Sequence, residues 1–181
     1  MSAPGDSVQI RWNKLQKQVA RLVADGKTGE GISLLDKFIT SRLNQRVKAE
    51  ALAFRADFKA ESGKRREAIA DYEAALALIS TPTYARYTVE DALGAVHEDL
   101  GERAQALEWY HQALETALQD PGRTGASTIR RLVQLDEALS SVDRALCERV
   151  ALKAWKAAGL SGDPDLSNLA ETADAIMQAP V

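Results

Sequence analysis

Few residues in this chain could do chemistry, and each lacks a partner that its chemistry requires. Gly26-Lys27-Thr28 has the ending of a phosphate-binding loop. Such a loop needs a glycine five residues before the Gly-Lys pair and a strand leading into it, so that backbone N–H groups can cradle phosphate. Arg21 holds that glycine position and the preceding segment has helical spacing, so the tripeptide reads as a turn. His97-Glu98 opens like a zinc-binding helix, which places a second histidine four residues after the first. Position 101 is Gly, and the other histidine is His111. Cys147 lies between Leu146 and Glu148, with neither histidine near in sequence. A lone thiol of this kind reads as a small buried hydrophobe. The carboxylate pairs Glu98/Asp99 and Asp136/Glu137 read as solvated helix faces. The expectation is a protein with no catalytic residues, no cofactor and no metal site.

The bulk composition suits a soluble domain with a real core: of 181 residues, 45% are hydrophobic and 27% charged. One cysteine cannot form an internal disulfide, which fits a reducing compartment. Met1-Ser2-Ala3-Pro4-Gly5-Asp6-Ser7 lacks the basic start and apolar stretch of a leader. No run approaches the ~18 apolar residues of a membrane helix. A cytoplasmic protein with no membrane span is expected. The charge is unevenly spread. Residues 1–48 carry 9 positive and 4 negative side chains, whereas residues 49–120 carry 7 and 14. The acidic middle repels phosphate, so nucleic acid is not an expected partner, save for a patch confined to the N-terminal helix.

Helical spacing dominates the chain. Ile10, Leu15, Val19, Leu22 and Val23 recur at helical steps up to Gly26, and Ile32, Leu34, Leu35, Phe38 and Ile39 follow. Two later stretches repeat each other: Gly63 to Leu76 is answered by Gly101 to Leu114, with a small residue, an aromatic and Ala-Leu at the same places. Gly26 aligns with Gly63 and places Leu35 on Tyr72. The spacing predicts helix pairs over about 8–41, 44–80, 84–120 and 124–159, the last by aligning Ala145 with Ala106 and Leu146 with Leu107. A closing helix over 163–178 starts at Asp163-Pro164 and carries an apolar stripe. The expected fold class is all-α: one domain, a solenoid of three to four antiparallel helix pairs with a C-terminal capping helix over 1–181. The aromatics Trp12, Trp109, Trp155, Tyr72, Tyr84, Tyr87 and Tyr110 fall on the packing phase and are expected in the core.

These residues resemble the tetratricopeptide repeat (TPR) family. The family's small positions fall on Ala56, Ala68 and Ala75 with aromatic Tyr72, then on Gly94, Ala106 and Ala113 with Tyr110. The family's early aromatic on the first helix is absent, since Leu52 and Glu90 stand there. The resemblance implies a concave groove lined by the first helix of each pair, in which a partner segment lies. Carried over by position, the partner-binding residues are Glu50, Phe54, Asp57 and Glu61 in the second pair and Asp91, Glu98 and Asp99 in the third. The fourth offers Arg130 and Arg131, and the first Asn13, Gln16 and Lys17. A centrally acidic groove favours a basic or amphipathic segment of another protein. It disfavours the lysine and asparagine clamp by which one subfamily grips acidic tails, because Glu50, Asp57 and Asp91 stand among those positions. The leading expectation is a non-catalytic adaptor. A dedicated inhibitor of the immunity type, or a secretion chaperone masking one toxin or effector, is the alternative. A helical ligand-sensing domain stands behind both. An exposed apolar edge on a terminal repeat could also make a homodimer.

Overall fold

The computed structural model describes residues 4–119, 128–129, 131, 145–150 and 152–153, and among these no residue is in a strand. The helices are α1 (Pro4–Ala24), α2 (Thr28–Ile39), α3 (Gln45–Glu61), α4 (Arg65–Leu76), α5 (Tyr84–Asp99) and α6 (Arg103–Gln119). Residues 128–129, 131, 145–150 and 152–153 are also helical. Among the described residues no helix is long and apolar enough to cross a membrane.

The first helix of each pair ends in the same way. Gly26, Gly63 and Gly101 have φ of 76°, 81° and 73°, the left-handed region that a side chain would strain. Each glycine N–H donates three residues back, and the next N–H donates five residues back: Lys27 to Leu22, Lys64 to Lys59, Glu102 to His97. This double bond closes the carbonyls at a helix end and turns the chain into the antiparallel partner. The starts of α3 and α5 are capped by side chains. Asn44 accepts from the Val47 N–H, and Thr83 from Arg86 N–H. Thr83 begins α5 at Tyr84, where the spacing starts the third pair.

Contacts divide the chain into two compact units, Met1–Ser80 and Thr81–Val181. In the first, Trp12, Val19, Ile32, Leu35, Val47 and Phe58 form the core. In the second, Tyr110, Leu114 and Ile129 pack with Leu146, Cys147 and Val150. The expected small positions are buried: Ala56, Ala68, Ala75, Ala106 and Ala113 are fully enclosed.

Three expectations are corrected. Ile10 is 67% exposed rather than packed. The buried stripe of α1 runs through Trp12 and Val19, and Ile10 lies on the far side of the helix. Tyr84 is 57% exposed at the first turn of α5, where it stacks on Tyr87, the aromatic that enters the core. Ala145 is exposed, whereas Leu146, Cys147 and Val150 are buried. The buried phase therefore matches Leu146 to Ala106 and Val150 to Tyr110, one residue later than the alignment of Ala145. The expected Trp155, Arg130, Asp136/Glu137 and closing helix 163–178 lie outside the described residues.

Candidate functional site

The first helices of two pairs carry the expected partner-binding side chains, α3 in the first unit and α5 in the second. On α3, Glu50, Phe54, Asp57 and Glu61 recur at steps of four, three and four, which places them on one face. Their surroundings differ. Glu50 is engaged twice: Trp12 Nε1–H donates to its Oε2 at 2.9 Å and Arg46 Nε–H to its Oε1 at 2.9 Å. Phe54, expected as an open apolar contact, is half-buried, edge-on to Trp12 (5.7 Å between centroids) and to Phe58 (4.7 Å). It serves the packing of α3 on α1. Asp57 and Glu61 remain exposed.

The carboxylates reach the second helix of their own pair through its aromatic. Tyr72 O–H donates to Asp57 Oδ1 at 2.6 Å, and Tyr110 O–H donates to Glu98 Oε2 at 2.7 Å. Packing around the Asp57 carboxyl raises its pKa above the ordinary carboxylate value; the Tyr72 bond opposes this and Glu61 adds to it. Burial pushes both tyrosine hydroxyls up, and the neighbouring carboxylates push the same way. Neither tyrosine was assigned this anchoring part from sequence. The signal was present in the aromatic that recurs 38 residues on, with a carboxylate 15 or 12 residues before it.

Asp91 and Arg131 are brought together, and their charges meet. Thr128 Oγ1 lies 2.7 Å from both Asp91 Oδ1 and Tyr87 Oη. Because a carboxylate only accepts, Thr128 donates to Asp91 and Tyr87 donates to Thr128. Arg131 Nη1 stands 3.7 Å from Asp91 Oδ2 and 3.3 Å from Tyr110 Oη, with its guanidinium over the Tyr110 ring at 5.7 Å. Asp91 is thereby a half-buried structural carboxylate. Glu98 and Asp99 are exposed at the end of α5.

Glu90, which replaces the early aromatic of the first helix, is a buried carboxyl. It is 1% exposed, accepts from Thr116 Oγ1 at 2.6 Å and from Arg86 Nε at 2.8 Å, and stands where Leu52 stands one repeat earlier. Burial raises its pKa, while Thr116 and Arg86 lower it. A carboxyl whose folded pKa lies above the unfolded value of about 4.3 keeps its proton when the unfolded chain has lost it, so stability falls as pH rises through that window. Glu90→Leu removes this slope and is expected to cost about 1–3 kcal/mol near pH 7, because the buried Thr116 hydroxyl loses its acceptor while Arg86, 31% exposed, can reach water. Urea unfolding at pH 4.5 and at pH 8 measures both effects.

Among the described residues no three His, Cys, Asp or Glu side chains gather as a metal-binding group. No family model matches the sequence, and no curated protein matches it. Solved structures do. BtubC (BKLC) from P. vanneervenii superposes with a TM-score of 0.55 at 15% identity, covering 97% of this chain and 91% of that one. The fold is that of a TPR-like helical repeat. A kinesin-light-chain-like protein from Podosopora anserina with nearly identical TPR-like repeats gives a TM-score of 0.50 at 16% identity, with 97% of each chain covered. The TPR-like assignment explains why Gly94 and Tyr110 share a crossing point: Gly94 is buried, and a Cβ placed on it would come within 2.4 Å of the Tyr110 ring.

Proposed function

We propose that this chain is a non-catalytic protein-interaction module in which the carboxylate-bearing end of α3 and, separately, that of α5 each take a basic segment of a partner. One observation carries the reading. Equivalent helix ends each hold two exposed carboxylates, Asp57 and Glu61 on α3 and Glu98 and Asp99 on α5. Glu61 and Asp99 are repeat equivalents, 38 residues apart. Negative charge at a helix C-terminus opposes the helix dipole and costs about 0.3–1 kcal/mol. At Glu61, which has no ion pair among the described residues, an arriving cation would offset it. The carboxylates then form a spot for Lys or Arg side chains.

Glu61 gives the cleanest test, since it is exposed and its loss breaks no hydrogen bond to Tyr72. Glu61→Lys, and separately Asp57→Lys with Glu98→Lys, should slow association of a lysine-rich helical peptide severalfold at low salt. Raising salt to about 0.5 M should erase the difference. Stopped-flow fluorescence reads the rate. Equal rates for wild type and Glu61→Lys at low salt would remove the proposal.

A further inference from the structure

We infer that α1 presents a second docking face, opposite in charge to the first, for an acidic amphipathic helix of another protein. The argument begins with repeat equivalence. The cap glycines set the offset between the first and second pairs at 37 residues, Gly26 to Gly63. The side chains by which α3 packs on the first pair are Val47, Ala51, Phe54 and Phe58, all in the cluster with Trp12, Ile32 and Leu35. Thirty-seven residues earlier stand Ile10, Lys14, Lys17 and Arg21. The face that receives neighbouring helices in the second pair is thus an isoleucine among three cations in the first.

This face lies on the opposite side of α1 from Trp12 and Val19. Its four residues fall within roughly 60° of the helix circumference and span about 16 Å of its length. All four are exposed, Ile10 by 67%, and none of the three cations has an ion pair among the described residues. Neighbouring Lys14/Lys17 and Lys17/Arg21 repel each other at helical spacing, which weakens α1 by about 0.2–0.5 kcal/mol per pair. A repeat stack does need a polar end, but mixed charges would supply solubility without that repulsion. Three cations in one stripe with an exposed aliphatic side chain fit a helix with carboxylates flanking an apolar residue. The single apolar side chain is too little for insertion among lipids. No exposed aromatic of this stripe offers a base a stacking surface.

The probe is a fluorescein-labelled helical peptide with four Glu spaced around one Leu, read by anisotropy against the whole chain. Binding is expected at low salt and should fade at about 0.5 M. Lys14→Glu/Lys17→Glu/Arg21→Glu should weaken it tenfold or more, and Ile10→Ser severalfold with no change in charge. Glu61→Lys should leave it unaltered, which separates this face from the acidic one. All substituted side chains are exposed, and circular dichroism checks that helix content is kept. Unchanged affinity in the triple variant overturns the inference, as does an Ile10→Ser variant equal to wild type. Duplex DNA or phosphatidylserine vesicles binding to the triple-cation face more tightly than the peptide would also overturn it, by assigning the stripe to phosphate.

Discussion

Asp71→Ala should destabilise the first unit by about 3 kcal/mol, the low end of what is lost when one partner of a buried ion pair is removed. The Asp71 side chain is 8% exposed and is held by three donor atoms of two cations. Arg55 donates to both its oxygens, Nε to Oδ2 at 2.7 Å and Nη2 to Oδ1 at 2.5 Å, and Lys59 Nζ stands 2.9 Å from Oδ2. The Arg55 and Lys59 side chains are themselves only 16% and 12% exposed, so both cations would be left with little water. The loss is softened because Arg55 keeps Asp36 at 2.6 Å and Lys59 keeps Glu67 at 3.7 Å. Asp36 is the contrast: its side chain is 52% exposed, and Asp36→Ala should cost under about 1 kcal/mol and respond to salt. Fluorescence of Trp12, 1% exposed in the core of this unit, reports the transition once Trp109 and Trp155 are replaced by Phe. A loss below about 1 kcal/mol for Asp71→Ala would mean that the ion network spanning α2, α3 and α4 adds nothing to the packing.

That network also marks where the sequence stops being legible. The helices, their antiparallel pairing and the glycine ends follow from spacing alone, because turn chemistry and small residues at crossings are local or periodic signals. What a helix buries is harder to read when it has neighbours on several sides. Buried side chains of α3 fall on two separate faces, Val47, Ala51 and Phe58 on one and Ala49, Leu52 and Ala56 on the other. Amphipathic spacing then no longer separates inside from outside. Phe54 was therefore expected to face a partner and instead packs on Trp12. Charged residues mislead in the other direction. Nothing in the spacing marks Asp71 and Glu90 as buried; Arg55 and Lys59 in one unit and Thr116 and Arg86 in the other supply the partners that let them be so. Asp57 and Glu98 were read from sequence as open carboxylates; both are exposed, and both also hold a tyrosine hydroxyl that only the folded pair reveals. The stripe Ile10–Lys14–Lys17–Arg21 was readable by repeat alignment, but only after Val47 and Phe58 were known to stack on the first pair.

Gly94→Ala should destabilise the second unit by about 1–2 kcal/mol, although alanine is the better helix former by about 1 kcal/mol. The added Cβ would lie 2.4 Å from Cδ1 and Cε1 of Tyr110 and 3.0 Å from Cγ, well inside the roughly 3.5–4.0 Å of ordinary carbon contacts. Relief requires the ring or the helix to move. The ring is poorly placed to move: Tyr110 is fully buried, its hydroxyl donates to Glu98, and Arg131 lies over its face. Overpacking of this kind costs about 1–3 kcal/mol before any hydrogen bond is lost, so the steric term exceeds the propensity gain. The first unit carries Ala56 at the repeat-equivalent position, so alanine is compatible with the repeat as such, and the conflict lies in how near the Tyr110 ring comes to Gly94. Removing the ring should therefore rescue: Gly94→Ala with Tyr110→Leu should lose less than the two single losses summed, with a coupling of about 1 kcal/mol or more. Urea unfolding followed through Trp109, which neighbours Tyr110 on α6, gives the three values. A gain in stability for Gly94→Ala alone would show that α5 and α6 stand far enough apart for propensity to decide.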